Sequence, residues 1–260
     1  MPTVRPTSPL SRHARGAVSG AVVALVLLAL LPAGAQAAQA PPLVVPPVGH
    51  VYDALAVGWW QYALSRPASA SPLRDSTGAH CADGQAGPVF FLAGTQTPAP
   101  VERTCTVQGP KALFFPLINA VDFHTPAGDF PDTNTTPALV YQEFLGNTLD
   151  RSGDLSAAGL HASVDGRAIA NLDAATTPYR ACALPVPGCF PPAFAFRLPA
   201  DNVFDFAHEP AGTYFPALQD GYYLLLAPLS AGSHTISFGG SGFFGGPFTQ
   251  DVTYHLNVVR

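Results

Sequence analysis

CADGQAGPVFFLAGTQTPAPVERTCTVQGPKALFFPLINAVDF, residues 81–123, contains two short apolar runs, Pro88–Ala93 and Ala112–Asn119. Both are rich in aromatic and branched side chains and are bounded by Gly and Pro, a pattern that belongs to buried strands rather than helices. The two runs are expected to be neighbours. Between them, Thr95-Gln-Thr-Pro-Ala-Pro100 breaks the chain, and Val101–Val107 then alternates so that Val101, Arg103, Cys105 and Val107 share one strand face. Cys105 therefore looks inward, and Cys81, just before the first strand, is its natural partner. Closing that loop of about 25 residues removes roughly 3–4 kcal/mol of unfolded-state freedom in the chain-entropy account.

Outward from this stretch, the first 37 residues read as an address. Arg5, Arg12 and Arg15 precede an apolar run from Ala17 to Leu31, and Ala35-Gln36-Ala37 offers a small-x-small cleavage pattern. This is the form of a secretory signal peptide, with an uncleaved N-terminal anchor as the alternative. The expected organisation is a signal peptide over 1–37 and one domain over 38–260, although that length also suits two small domains. No later stretch reaches the roughly 18 apolar residues needed to cross a bilayer.

Three of the twelve basic residues and none of the 17 acids lie before residue 38, so the remainder carries nine basic residues and a net charge of −8. Lys111 is the only lysine and no arginines cluster, which argues against nucleic acid and against a polybasic membrane patch. With 48% hydrophobic and 11% charged residues, there is ample material for a large core. In an exported chain the four cysteines are expected to pair rather than bind zinc. Cys182 and Cys189 enclose six residues and read as a stapled loop, but four cysteines allow three connectivities and the cross pairings stay open.

Along the chain, helical spacing from His50 to Ser65 puts Tyr52, Leu55, Ala56, Trp59, Tyr62 and Ala63 on one apolar face, ending before Pro67. Trp59-Trp60 invites a sugar-stacking role, yet an aromatic stripe at this spacing more often packs on a core. Thr125–Thr136 reads as a surface loop. Thr136-Pro137 then starts a second short helix carrying Val140, Tyr141, Phe144, Leu145 and Leu149. Asp165-Gly166 between His161-Ala-Ser-Val164 and Arg167-Ala-Ile-Ala170 is a hairpin turn. Gly221–Ala227, Ser233–Phe238 and Phe248–Val259 read as a meander. In its last strand Val252, Tyr254, Leu256 and Val258 face the core, with Gln250 the exception, while Asp251, Thr253, His255 and Asn257 face water. His234 falls on the core side with Ile236 and Phe238. The fold class expected is a mainly β, two-sheet antiparallel sandwich with an N-terminal helix and a second short helix.

A tryptophan-bearing helix, Gly78-Ala-His-Cys-Ala-Asp-Gly-Gln-Ala-Gly-Pro88 followed by Phe-Phe-Leu-Ala-Gly, then Arg103-Thr-Cys105 and Lys111-Ala-Leu-Phe-Phe-Pro116, resemble a family of exported bacterial proteins of unestablished activity. Val164-Asp-Gly166 and His234-Thr-Ile extend the resemblance over most of the chain beyond residue 37. It implies a secreted origin and no chemistry.

Signals for catalysis are sparse. Gly239-Gly-Ser-Gly-Phe243 fails the last position of a G-x-S-x-G elbow. Asp150-Arg-Ser-Gly-Asp154 begins like a calcium loop, but Leu155 stands where glycine is needed and His161 where the bidentate glutamate belongs. The sharpest enzymatic reading is a mononuclear metal centre. Asp122 and His124 lie two apart, His208-Glu209 sits in a later aromatic segment, and imidazole plus carboxylate suits iron, copper or zinc. His80 is a further histidine to place. Against this stand the absence of H-x-H and H-E-x-x-H and an outward His255. The expectation is therefore a secreted noncatalytic binding or structural protein with an unknown extracellular ligand and no cofactor. A metal-dependent extracellular enzyme is the alternative.

Overall fold

The structure is a computed structural model, and it describes residues 43–149 and 155–260. The expected signal peptide and the calcium-like loop start lie outside the described residues. Among the described residues, two α-helices, α1 (Val51–Leu64) and α2 (Pro137–Asn147), accompany ten strands. These are β1 (Val89–Phe91), β2 (Val101–Gln108), β3 (Ala112–Phe123), β4 (Ala158–Val164), β5 (Arg167–Ala168), β6 (Arg180–Ala183), β7 (Phe194–Leu198), β8 (Gly212–Leu226), β9 (Gly232–Phe243) and β10 (Pro247–Val259).

The strands form two five-stranded sheets. In the first, β3 lies between β1 and β8, and the far edge of β8 is lined by β6 and β7 in succession. Val44 continues that edge through a bridge to Leu226. The second sheet runs β2-β10-β9-β4-β5. Both sheets are mixed rather than purely antiparallel, because β1 runs parallel to β3 and β2 parallel to β10. The parallel pairs arise where the chain crosses between sheets, as β2 leaves β1 and β3 for the opposite layer. The expected C-terminal meander is corrected for the same reason. β8 pairs with β3 in the first sheet, and of the three meander strands only β9 and β10 pair with each other, in the second.

Burial explains the contrasting strand patterns. The first sheet is covered on both faces, so β3 and β8 are buried nearly throughout, as apolar runs require. The second sheet has one wet face, and β10 alternates along its length. Between the sheets, Leu113, Phe115 and Leu117 of β3 and Leu224 of β8 meet Ile236, Phe238, Tyr254 and Leu256. Phe115 and Phe238 lie 4.5 Å apart between ring centroids. Val140 and Phe144 of α2 join this core. On the other face, Tyr52 and Trp59 of α1 pack with Phe114, Tyr223 and Leu225. Trp59 is fully buried and donates to the Leu92 carbonyl at 2.9 Å. Trp60 packs edge-on against it and is buried as well, so this pair is core rather than an exposed sugar platform.

Cys81 is bonded to Cys105 and Cys182 to Cys189. Gln85, four residues after Cys81, closes the free edge of β1: its amide oxygen accepts from the Phe91 amide at 3.0 Å, and its nitrogen donates to the Phe91 carbonyl at 2.7 Å. A side-chain amide here occupies the place of a neighbouring strand, which removes an exposed pairing edge. Gln250, the polar residue on the core face of β10, donates to the carbonyls of Pro116 and Leu117 at 2.9 and 3.0 Å. These are the groups left over where the β3–β8 register shifts, so the buried amide is satisfied and satisfies the irregularity.

Candidate functional site

The richest gathering of titratable side chains lies at the end of β3, where Thr125-Pro126 ends the strand. The chain then loops through Asp129 and Asp132 to the start of α2, and Thr136 caps that helix by accepting from the Leu139 amide. Asp132 organises the loop. Its carboxylate meets His124 Nδ1 at 2.6 Å and accepts from the amides of Thr125 and Asn134 at 2.7 and 2.6 Å. The Asn134 side chain donates in turn to Glu143 of α2.

These carboxyl groups are driven in opposite directions. Burial pushes Asp122 up to about 7, aided by the negative charges of Glu143 and Asp132 against one hydrogen bond from the Phe123 amide. Burial also works against ionisation of Asp132, but hydrogen bonds from Thr125, His124 and Asn134 outweigh it and hold that carboxyl below the usual range. Asp122 thus retains a proton toward neutrality while Asp132 stays ionised.

Asp122 and His124, two apart, share a face only if the strand persists through both; β3 ends at Phe123, and His124 pairs with Asp132. His208, in the left-handed region at φ 50°, caps the short 3₁₀ turn Asp205–Ala207 and pairs with Asp129 at 2.6 Å. Its ring is 78% exposed. His80 pairs with Asp83 at 2.9 Å, beyond the loop that Asp75 clasps. His234 is buried on the core side, as its position in the alternation requires. It ties the Asp165-Gly166 turn to β9 through Asp165 at 2.8 Å. That turn has positive φ at both residues, 51° and 75°, the geometry Asp-Gly favours. His255 is exposed, 3.7 Å from Glu102.

Among the described residues, no group of three or more His, Cys, Asp or Glu side chains is arranged to hold a metal ion. Nor is any helix there long and apolar enough to cross a membrane. A shallow groove of about 310 Å³ runs between α1 and β7, lined by Gln61, Ser65, Ala195, Phe196, Arg197 and Thr213. None of the carboxylates or histidines above lines it.

Asp132 and Asp129 were missed as the partners of His124 and His208, and Glu143 as a charge beside Asp122. The available signal was the run Gly128-Asp-Phe-Pro-Asp-Thr-Asn134, whose Asp and Asn residues read only as loop chemistry. Comparison with models of known protein families, with curated proteins and with solved structures gave no match.

Proposed function

We propose that this chain is an exported, noncatalytic binding or structural protein. The observation that carries the reading is the engagement of its histidines. Each of the seven in the described residues lies 2.6–3.7 Å from a carboxylate, and the pairs are spread over the molecule. The five held at 2.6–2.9 Å serve as cross-links between turns, strands and helix starts. Both cysteine pairs are oxidised, which supports residence in an oxidising compartment. The resemblance to exported bacterial proteins and the signal-like N-terminus support the same assignment. The residues that carry the resemblance also have framework roles: Gln85 closes a strand edge, Lys111 bonds the Gly87 carbonyl, and Arg103 joins three segments.

Elemental analysis of the purified, secreted protein tests the noncatalytic reading against a metal enzyme. The expected result is no stoichiometric transition metal, whereas about one equivalent per chain that survives dialysis overturns the proposal. N-terminal sequencing of the same sample is expected to begin near residue 38.

A further inference from the structure

The loop from His124 to Asp132 places none of its side chains in either core. Its base is closed on itself by Asp132, which clasps His124 and Thr125. Its tip lies on the segment 207–209 through two contacts, the Asp129 amide donating to the Ala207 carbonyl at 2.9 Å and the Asp129–His208 ion pair. Gly128, at φ +80°, passes directly over Glu209. A Cβ there would fall 2.7 Å from Glu209 Oε1 and 2.8 Å from the Ala207 carbonyl oxygen, so only glycine permits this approach. Beneath the tip, Glu209 is 5% exposed and accepts from the Tyr214 hydroxyl at 3.0 Å.

The geometry points to a pH-released strap: loop 124–132 is closed over Glu209 and Tyr214 while His208 carries its proton, and its tip lifts as that proton is lost. The charges facing the latch set the direction. His208 faces Asp129 of the strap and Asp205 of its own turn, and Asp205 is itself held by Arg74. Glu209 faces Tyr214 of β8 and both Asp129 and Asp132 of the strap. Asp132 is matched by His124 and opposed by Asp122 of β3. Without the His208 proton, the tip sets Asp129 and Asp132 against Glu209 with one cation fewer to offset them.

Two groups titrate the same way. Hydrogen bonding and charge from Asp129 raise His208 above its ordinary value, so its contribution to closure is present below that value and lost as pH rises through the raised one. Burial raises Glu209, opposed by the Tyr214 hydrogen bond and reinforced by Asp132 and Asp129. The neutral acid therefore favours closure, and its ionisation on rising pH opposes it.

Hydrogen exchange of the Asp129 amide at about pH 5.5 and about pH 8, corrected for intrinsic rates and referenced to the Leu256 amide, tests this. The expected loss of protection is roughly two- to fivefold at the higher pH, the scale of an exposed ion pair. His208→Gln should lower protection at the acidic pH to near the wild-type value at the alkaline one. Equal wild-type protection at both pH values overturns the proposal, as does a pH-dependent change undiminished in His208→Gln. Because the His208 ring is 78% exposed, this substitution tests the latch without disturbing a core.

Discussion

Replacing Arg103 with Met removes a guanidinium that is 1% exposed and has carbonyls and a phenol for partners instead of a carboxylate. Its Nε donates to the Asp75 carbonyl at 2.5 Å, and Nη1 donates to the carbonyls of Ala93 and Gly94 and to the Tyr254 hydroxyl at 2.8–3.0 Å. The cation also sits 5.4 Å from the centroid of the Tyr254 ring. A buried ion pair replaced as a whole by apolar side chains is often neutral in stability, but main-chain carbonyls cannot be substituted away. Ala93 keeps a bond from Tyr254 at 3.2 Å, whereas Asp75 and Gly94 lose the Arg103 donor. Two such acceptors at about 1–3 kcal/mol each put the expected loss at roughly 2–6 kcal/mol. Urea unfolding with the disulfides intact, followed by Trp59 and Trp60 fluorescence, measures the loss. A change below about 1 kcal/mol with an unaltered slope would refute the argument that Arg103 fastens the 75 and 93–94 segments to β10.

In β10, Leu256→Ala should cost about 2–5 kcal/mol through lost burial and a cavity, while His255→Ala, on the wet face, should stay within roughly 0.5 kcal/mol; denaturant unfolding of the two variants checks the ranking. Gln85→Ala strips the edge of β1 of its amide partner and should cost about 1–3 kcal/mol, with faster hydrogen exchange at the Phe91 amide as its local signature. Asp122 is raised to about 7, so its contribution to folding is fully present below the ordinary carboxyl value of roughly 3.9 and is lost as pH climbs through about 7. Asp122→Asn should therefore be the more stable protein at about pH 8, by roughly 1–2 kcal/mol, and lose that advantage near pH 4. A variant less stable than wild type at about pH 8 contradicts the like-charge environment assigned to Asp122.

The sandwich was legible wherever one strand supplied its own pattern. Alternation in β10 placed Tyr254, Leu256 and His255 on their observed faces, and the Thr136-Pro137 start of α2 was visible because capping is local chemistry. Strand order was not legible. Nothing within Gly221–Ala227 distinguishes pairing with β9, next in the chain, from pairing with β3 a hundred residues earlier. What decides is that the strand is apolar on both faces, as the central sheet requires and the wet-faced sheet does not. The same test, applied to β8 against β10, would have argued against the meander. Strands β6 and β7 were lost for another reason. They are short and rest on the β8 edge, so their extended form comes from a neighbour's free hydrogen-bonding groups more than from their own periodicity.

The candidate site was less legible still, because its parts are pairs formed across the fold. His124 and His208 were identifiable as residue types, yet the partner of the first is eight residues on and that of the second is 79 residues back. Their separation in sequence left each looking like one member of a shared metal shell. The arrangement follows from where β3 stops. The loop that begins after β3 brings Asp132 back to His124 at 2.6 Å, while Asp122 has the like charges of Glu143 and Asp132 beside it. A metal shell needs three or more such donors gathered in one place, which the described residues do not supply, and the strap arises because the loop after β3 carries its carboxylates to two different histidines.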